Sequence, residues 1–257
     1  MTKFLIKKHN GQEIPCIADI PENCKKIVII IHGFSSSKES DNATFMMKYF
    51  GKRGLGTIAY DQPGHGTAEA SGEKLLLKNC LDSLKAVEEY LREHYPDAEI
   101  CYFGSSFGGY ILGMYIARGL NSGSKAFMRC AAVNFPQLIL GDDTSKPDEK
   151  AVKTLEKQGY MDVMVDGELV RLYLEFLEEL KANSMVDMYN QRKPQNVKFC
   201  FVHGGDDPVV PVQGVKEFAD KHGYPITIVA GENHPINISP ESPTKVGEIA
   251  YRFYLEN

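Results

Sequence analysis

Apolar residues in this chain gather in two kinds of stretch. Short continuous runs recur: I-V-I-I-I at 27–31, T-I-A-Y at 57–60, I-C-Y-F at 100–103, C-A-A-V-N-F at 130–135, K-F-C-F-V at 198–202 and I-T-I-V-A at 226–230. Such runs, rich in β-branched and aromatic residues, predict strands covered on both faces. Two earlier runs, K-F-L-I-K-K-H and I-P-C-I-A-D-I, predict an opening strand pair. Between the runs the spacing becomes helical. Residues 72–95 place Leu76, Cys80, Leu84, Val87 and Leu91 on one face, and Pro96 follows the end. Helices are also predicted over 107–119 and 242–255. Alternating strands and helices predict an α/β fold, with a mostly parallel central sheet flanked by helices.

One segment breaks the rhythm. After Phe135-Pro136 about sixty residues pass before the next strand, far more than an ordinary connection needs. It holds a polar stretch, G-D-D-T-S-K-P-D-E-K, and then D-G-E-L-V-R-L-Y-L-E-F-L-E-E-L. There Leu169, Tyr173, Phe176, Leu177 and Leu180 form one apolar stripe at helical spacing. The expectation is a single domain over 1–257 carrying an inserted helical cap at roughly 137–195.

Composition narrows the classes. The chain has 257 residues, 43% hydrophobic and 25% charged, with a formal charge of −5. That is enough chain for a sizeable core. The acidic balance and the lack of a Lys/Arg cluster argue against a nucleic-acid partner. The start, M-T-K-F-L-I-K-K, is neither a signal peptide nor a membrane anchor, so a cytoplasmic location and no membrane partner are expected. Six scattered cysteines without C-x-x-C predict buried reduced thiols, and no metal site.

Candidate chemistry begins at Gly104-Ser105-Ser106-Phe107-Gly108, which fits G-x-S-x-G with Ser106 in the middle. A strand precedes it and a helix follows. That is the setting in which a sharp turn exposes a serine, with small residues allowing the close approach. G-x-G-x-x-G and G-K-[ST] are absent, which disfavours a phosphate-cradling loop. A serine needs a base. Of the histidines after Ser106, His222 lies at a helix end and suits capping. His203 ends a strand ahead of the candidate acids. His234, in A-G-E-N-H-P-I-N after the last predicted strand, is the expected base. Asp206 and Asp207, after the preceding strand, both qualify as the acid that orients it, and spacing leaves the pair open. Backbone N–H groups of Phe34, in the H-G-F loop, and of Phe107, after the serine, are the expected oxyanion donors. His32 and the Asp61–Gly66 loop read as structural.

Together I-H-G-F, D-Q-P-G-H-G, G-S-S-F-G-G, H-G-G-D-D-P-V-V-P and E-N-H resemble, in content and order, the α/β-hydrolase superfamily, over nearly the whole chain. The family's D-x-x-G-x-G loop matches Asp61 to Gly66. Its H-G-x-x-D pattern implies that the acid is Asp207. Length, the H-G-F loop and the insertion look like serine-aminopeptidase-like hydrolases, a group that includes cinnamoyl/feruloyl esterases and monoacylglycerol lipases. Ser105 stands where many members have histidine. The resemblance implies a serine carboxylesterase acting on a small-molecule ester, aromatic-acid esters among the candidates, with no metal or organic cofactor. Its alternatives are a small peptide or amide hydrolase and a non-catalytic binding module on the same fold. Tyr160, Met161, Met164, Tyr173 and Phe176 in the insertion are the candidates to shape the substrate pocket.

Overall fold

The fold was obtained as a computed structural model, which describes residues 1–141, 149–165 and 167–256. Strands β1 (Thr2–Lys7), β2 (Glu13–Asp19) and β3 (Lys26–Ile31) lead into helix α1 (Asp41–Gly51), β4 (Gly56–Tyr60) and α2 (Leu77–His94). Next come β5 (Glu99–Ser105), α3 (Phe107–Ala117) and β6 (Lys125–Arg129). The segment that follows carries α4 (Phe135–Leu140), α5 (Glu149–Gln158), β7 (Tyr160–Val165), β8 (Glu168–Tyr173), α6 (Leu174–Ala182) and α7 (Met185–Gln191). Then come β9 (Lys198–Gly204), α8 (Val212–His222), β10 (Ile226–Val229) and α9 (Ser242–Leu255).

Eight strands form one sheet in the order β1-β2-β4-β3-β5-β6-β9-β10. From β4 to β10 every neighbouring pair is parallel, while β2 pairs antiparallel with both β1 and β4. The apolar runs explain the layering. In β3, Ile27, Ile29 and Ile31 join the core under α2, α3 and α8, while Val28 and Ile30 join the core under α1 and α9. A strand in this position needs apolar residues at both parities, which is why its sequence does not alternate. All the parallel strands end at one edge of the sheet, where α/β folds place their ligands. Among the described residues no helix is long and apolar enough to cross a membrane.

Two elements differ from expectation. The strand predicted over 130–135 lies at Lys125–Arg129 instead. Its ends are charged, so no apolar run marks it, yet Lys125 is buried because its Nζ donates to the Tyr254 carbonyl at 2.8 Å. Cys130 then turns the chain with φ +43, and Ala131 to Asn134 cross the sheet edge. The second difference falls in the insertion. Residues 168–173, read as the start of a helix, form a strand that pairs antiparallel with β7, from Tyr160↔Tyr173 to Val165↔Glu168. The helix starts only at Leu174. Val163 and Val170 face each other across this hairpin, and β-branched residues favour that pairing. The insertion is therefore a helix–hairpin–helix arrangement rather than purely helical. Its polar stretch at 141–150 lies mostly outside the described residues.

Polar contacts anchor the later half of the insertion. The first N–H of α2, Leu77, has no side-chain cap from its own flank and donates to Glu179 Oε2 of α6 at 2.5 Å. Tyr110 Oη donates to the Asn183 carbonyl at 2.7 Å, and Tyr189 Oη to the Gly113 carbonyl at 3.1 Å.

Candidate active site

Ser106 sits between the end of β5 and the start of α3 with φ 51 and ψ −117. For a residue with a Cβ this backbone costs about 1–3 kcal/mol, so its surroundings must impose it. They do so through the backbone. The Ser106 N–H donates to the Arg129 carbonyl at 3.0 Å, and its own carbonyl accepts from Gly109 at 2.9 Å and from Ala132 at 3.1 Å. The flanking glycines are steric requirements. A Cβ at Gly108 would lie 2.2 Å from the Ile31 carbonyl oxygen, one at Gly104 2.9 Å from the Gly108 carbonyl oxygen, and one at Gly109 2.5 Å from Ala131 Cβ. Gly33 runs beside the serine: its missing Cβ would touch Ser106 Cβ at 3.4 Å. Phe34 follows, its ring edge-on to Phe107 at 5.5 Å. Phe107 opens α3 directly after Ser106, and the first N–H groups of a helix lack intrahelical acceptors.

Asp207 and His234 follow the ends of β9 and β10. Asp206 is exposed, whereas Asp207 is buried and its Oδ2 lies 2.7 Å from His234 Nδ1. Asp207 Oδ1 accepts the N–H groups of Val209 and Val210, both at 2.9 Å. Burial alone would raise this carboxyl, but hydrogen bonds from His203, His234 and the Val210 N–H hold it well below the usual carboxylate range. The loop bearing His234 is closed by Glu232. Its buried carboxylate accepts from the Ile238 and Ser239 N–H groups at 3.0 Å and from Ser242 Oγ at 2.6 Å. The loops after β9 and β10 also meet directly: the Asp206 N–H donates to the Glu232 carbonyl at 2.9 Å, and a Cβ at Gly204 would lie 2.3 Å from the Asn233 carbonyl oxygen. Ser106 connects to the same group through β6. Arg129 accepts its N–H, and the next residue, Cys130, places its Sγ within 4.8 Å of ligand atoms of His203 and Asp207. The ends of β5, β9 and β10 thus gather Ser106, Asp207 and His234 at one edge.

A second network fixes the loop that carries Phe34. Lys38 is 3% exposed and its Nζ donates to Asp61 Oδ2 at 2.6 Å. Asp61 also accepts the Lys38 N–H at 2.8 Å and the Thr67 N–H and hydroxyl at 2.9 and 2.8 Å. These bonds overcome the upward push of burial and keep Asp61 below its ordinary value. His32 Nε2 accepts the Gln62 N–H at 3.0 Å, and burial, with His65 beside it, pushes this imidazole down to about 3. Gly66 is obligatory here, since a Cβ would sit 2.6 Å from the Asp61 carboxylate. Nothing in S-S-S-K-E-S marks Lys38 as a partner of Asp61. The D-x-x-G-x-G spacing was the only signal.

The five insertion candidates do not converge. Hairpin alternation puts Tyr160, Met164 and Tyr173 on one face and Met161 on the other. Met164 is 65% exposed, and Tyr160 stacks under the Arg171 guanidinium at 4.1 Å. Met161 packs against the main core. Phe176 alone reaches the elbow, fully buried with its ring edge-on to Phe107 at 6.3 Å. Sequence reasoning missed Phe135, whose ring lies 4.6 Å from Phe107 and 5.7 Å from Phe34. It had been read as the end of a strand, and only the displaced strand frees it for the edge.

This fold agrees with comparison to known proteins. The sequence model for the alpha/beta hydrolase fold matches residues 26–160. The chain belongs to this family. Est1E from Butyrivibrio proteoclasticus, in a structure with ferulic acid bound, superposes with a TM-score of 0.80 at 19% identity, covering 98% of this chain and 100% of that one. A hydrolase from Agrobacterium vitis S4 gives 0.77 at 18% identity over 98% and 97% of the two chains. Mouse alpha/beta hydrolase domain-containing protein 10 gives 0.73 at 13% identity over 98% of each. A search of curated protein sequences finds no match.

Proposed function

We propose that the chain is a serine hydrolase of carboxylic esters, with Ser106 as nucleophile, His234 as base and Asp207 as the acid that orients it. The observation that carries this reading is the 2.7 Å contact from Asp207 Oδ2 to His234 Nδ1, at the sheet edge where Ser106 is held at φ 51. An acceptor on Nδ1 keeps that nitrogen protonated and leaves Nε2 free to take the Ser106 proton. Ser106 Oγ then bonds to the ester carbonyl carbon. The oxyanion takes hydrogen bonds from the Phe34 and Phe107 N–H groups. The C–O bond breaks, and the alcohol leaves with the proton from His234. Water gives its proton to His234, attacks the acyl-enzyme and releases the acid.

In this reading residues 137–195 act as a cap over the edge. The rings of Phe34, Phe107, Phe135 and Phe176 cluster beside the nucleophile, and apolar linings of this kind suit an acyl or aryl group. The likeness to Est1E, whose structure holds ferulic acid, makes aromatic-acid esters the first substrates to try. The test is a fluorophosphonate probe with mass-spectrometric mapping, run beside an aryl-ester assay. The adduct is expected on Ser106, and Ser106→Ala should lower kcat/KM on the order of 10⁴-fold or more. A variant that keeps the wild-type rate overturns the reading. An adduct on Ser105 moves the nucleophile, and faster cleavage of an aminoacyl amide than of any ester turns the reaction class to peptides.

A further inference from the structure

Asp207 carries two imidazoles on one oxygen. Besides His234 Nδ1 at 2.7 Å, His203 Nε2 lies 3.1 Å from the same Oδ2. His203 is 1% exposed and sits inside β9, with Ile228 of β10 opposite it in the ladder, so its backbone cannot drift. The same Nε2 is 2.9 Å from the Val210 carbonyl oxygen. A carboxylate and a carbonyl are both acceptors, so Nε2 must bear the proton. The other ring nitrogen, Nδ1, is buried with no hydrogen-bond partner, as suits an unprotonated nitrogen.

We propose that His203 is a positioning residue, a permanent Nε2–H donor that fixes the Asp207 carboxylate and shares its charge, so that His234 faces an acid of reduced basicity. The proposal rests on the Ser106–Asp207–His234 reading above. Five donors then surround the carboxylate: two backbone N–H groups on Oδ1, two imidazoles at Oδ2, and the Cys130 thiol. The remaining neighbours that could titrate are Cys130, whose thiol bonds to the carboxylate and is pushed up to about 12 by burial, and the buried Arg129 guanidinium, which feels Asp207 across space. Neither changes charge at assay pH. Removing the His203 donor leaves more negative charge facing His234 and stabilises its imidazolium. The acid limb of the rate profile must then move to higher pH.

The experiment is a set of kcat/KM and kcat profiles from pH 5 to 9 on an aryl ester, for wild type, His203→Leu and His203→Gln, each first checked for labelling of Ser106 by the phosphonate. Gln can present an N–H close to the position of Nε2. For His203→Leu the acid limb should rise by roughly half to one pH unit, with kcat down about tenfold and KM little changed. His203→Gln should restore most of both. An unmoved acid limb in a folded, probe-reactive Leu variant overturns the proposal, as does a Gln variant shifted as far as Leu. Loss of labelling in the wild type would instead refute the triad reading. ¹⁵N NMR of the histidine-labelled wild type reads the tautomer without any substitution, and a His203 ring protonated at Nδ1 alone refutes the donor role.

Discussion

The turn at Ser106 and the insertion lie side by side but are held by different means. At the elbow, backbone atoms pack against backbone atoms. Positions 104, 108 and 109 exclude every side chain larger than hydrogen, and Ser106 has no freedom left. The insertion is attached by side-chain groups reaching across to helix backbones: Glu179 to the Leu77 N–H, Tyr110 to the Asn183 carbonyl, Tyr189 to the Gly113 carbonyl. Backbone packing admits almost no variation. Side-chain tethers can be changed one at a time, at modest cost each. Under the proposed function, a protein built this way can alter what it admits to the site without disturbing the bond-making atoms.

The largest break in this comparison should come from Gly108→Ala. Its Cβ would meet a carbonyl oxygen at 2.2 Å, which strand β3 cannot yield. A loss of about 3 kcal/mol or more in urea unfolding is expected, with activity lost alongside. Gly214, whose nearest foreign atom would be 3.9 Å away, provides the control, and Ala there should be nearly silent. Equal tolerance at the two sites would refute the steric account.

Acid sharpens the contrast at an intermediate scale. Asp61 and Asp207, beside the elbow, are both held below the ordinary carboxylate range. A depressed carboxyl contributes stability that is complete above its unfolded pKa, about 4. That contribution is lost as pH falls through the folded value. Stability in urea should therefore begin to fall below about pH 6.5, because the buried His32 imidazole takes up its proton only on unfolding, and should drop further below about pH 4 as the two carboxyls are protonated. Asp61→Asn should flatten this drop. Asp162, on the hairpin, is also depressed by its bond to Arg171, but the pair is exposed and solvent screens it. Asp162→Asn should leave the profile where it was. The smallest effect belongs to Glu179→Ala, which removes a charged acceptor from the start of α2. A loss of about 1 kcal/mol in melting experiments is expected, with Ser106 labelling unchanged. A labelling rate that falls with stability would mean that insertion and elbow are mechanically coupled.

The same division explains what could be read in the sequence. The sheet was legible because strands buried on both faces are mostly apolar at both parities, as Ile27 to Ile31 of β3 are. The elbow was legible because its glycines are forced. Strand β6 was hidden: K-A-F-M-R buries a lysine whose acceptor lies at the far end of the chain. In the insertion, Leu169, Tyr173 and Phe176 satisfy helical spacing by accident of a strand running straight into a helix. Gly167, with φ +83 just before β8, was the overlooked sign. The choice between Asp206 and Asp207 was invisible to spacing and depended on family resemblance. In the structure they differ in burial and in who meets the imidazole. His203 stands first in the H-G-x-x-D pattern, but its contact with Asp207 is not readable from spacing, and Lys38 is defined by a partner rather than by a pattern.

The Lys38–Asp61 pair has a consequence in the language of reorganisation. It binds the loop carrying Phe34 to the loop of residues 61–67 before any substrate arrives. In the proposed mechanism the oxyanion then meets a dipole already aimed, and none of the barrier goes into turning it. A looser tether would leave ester binding much as it is, and would show itself only while negative charge gathers on the carbonyl oxygen.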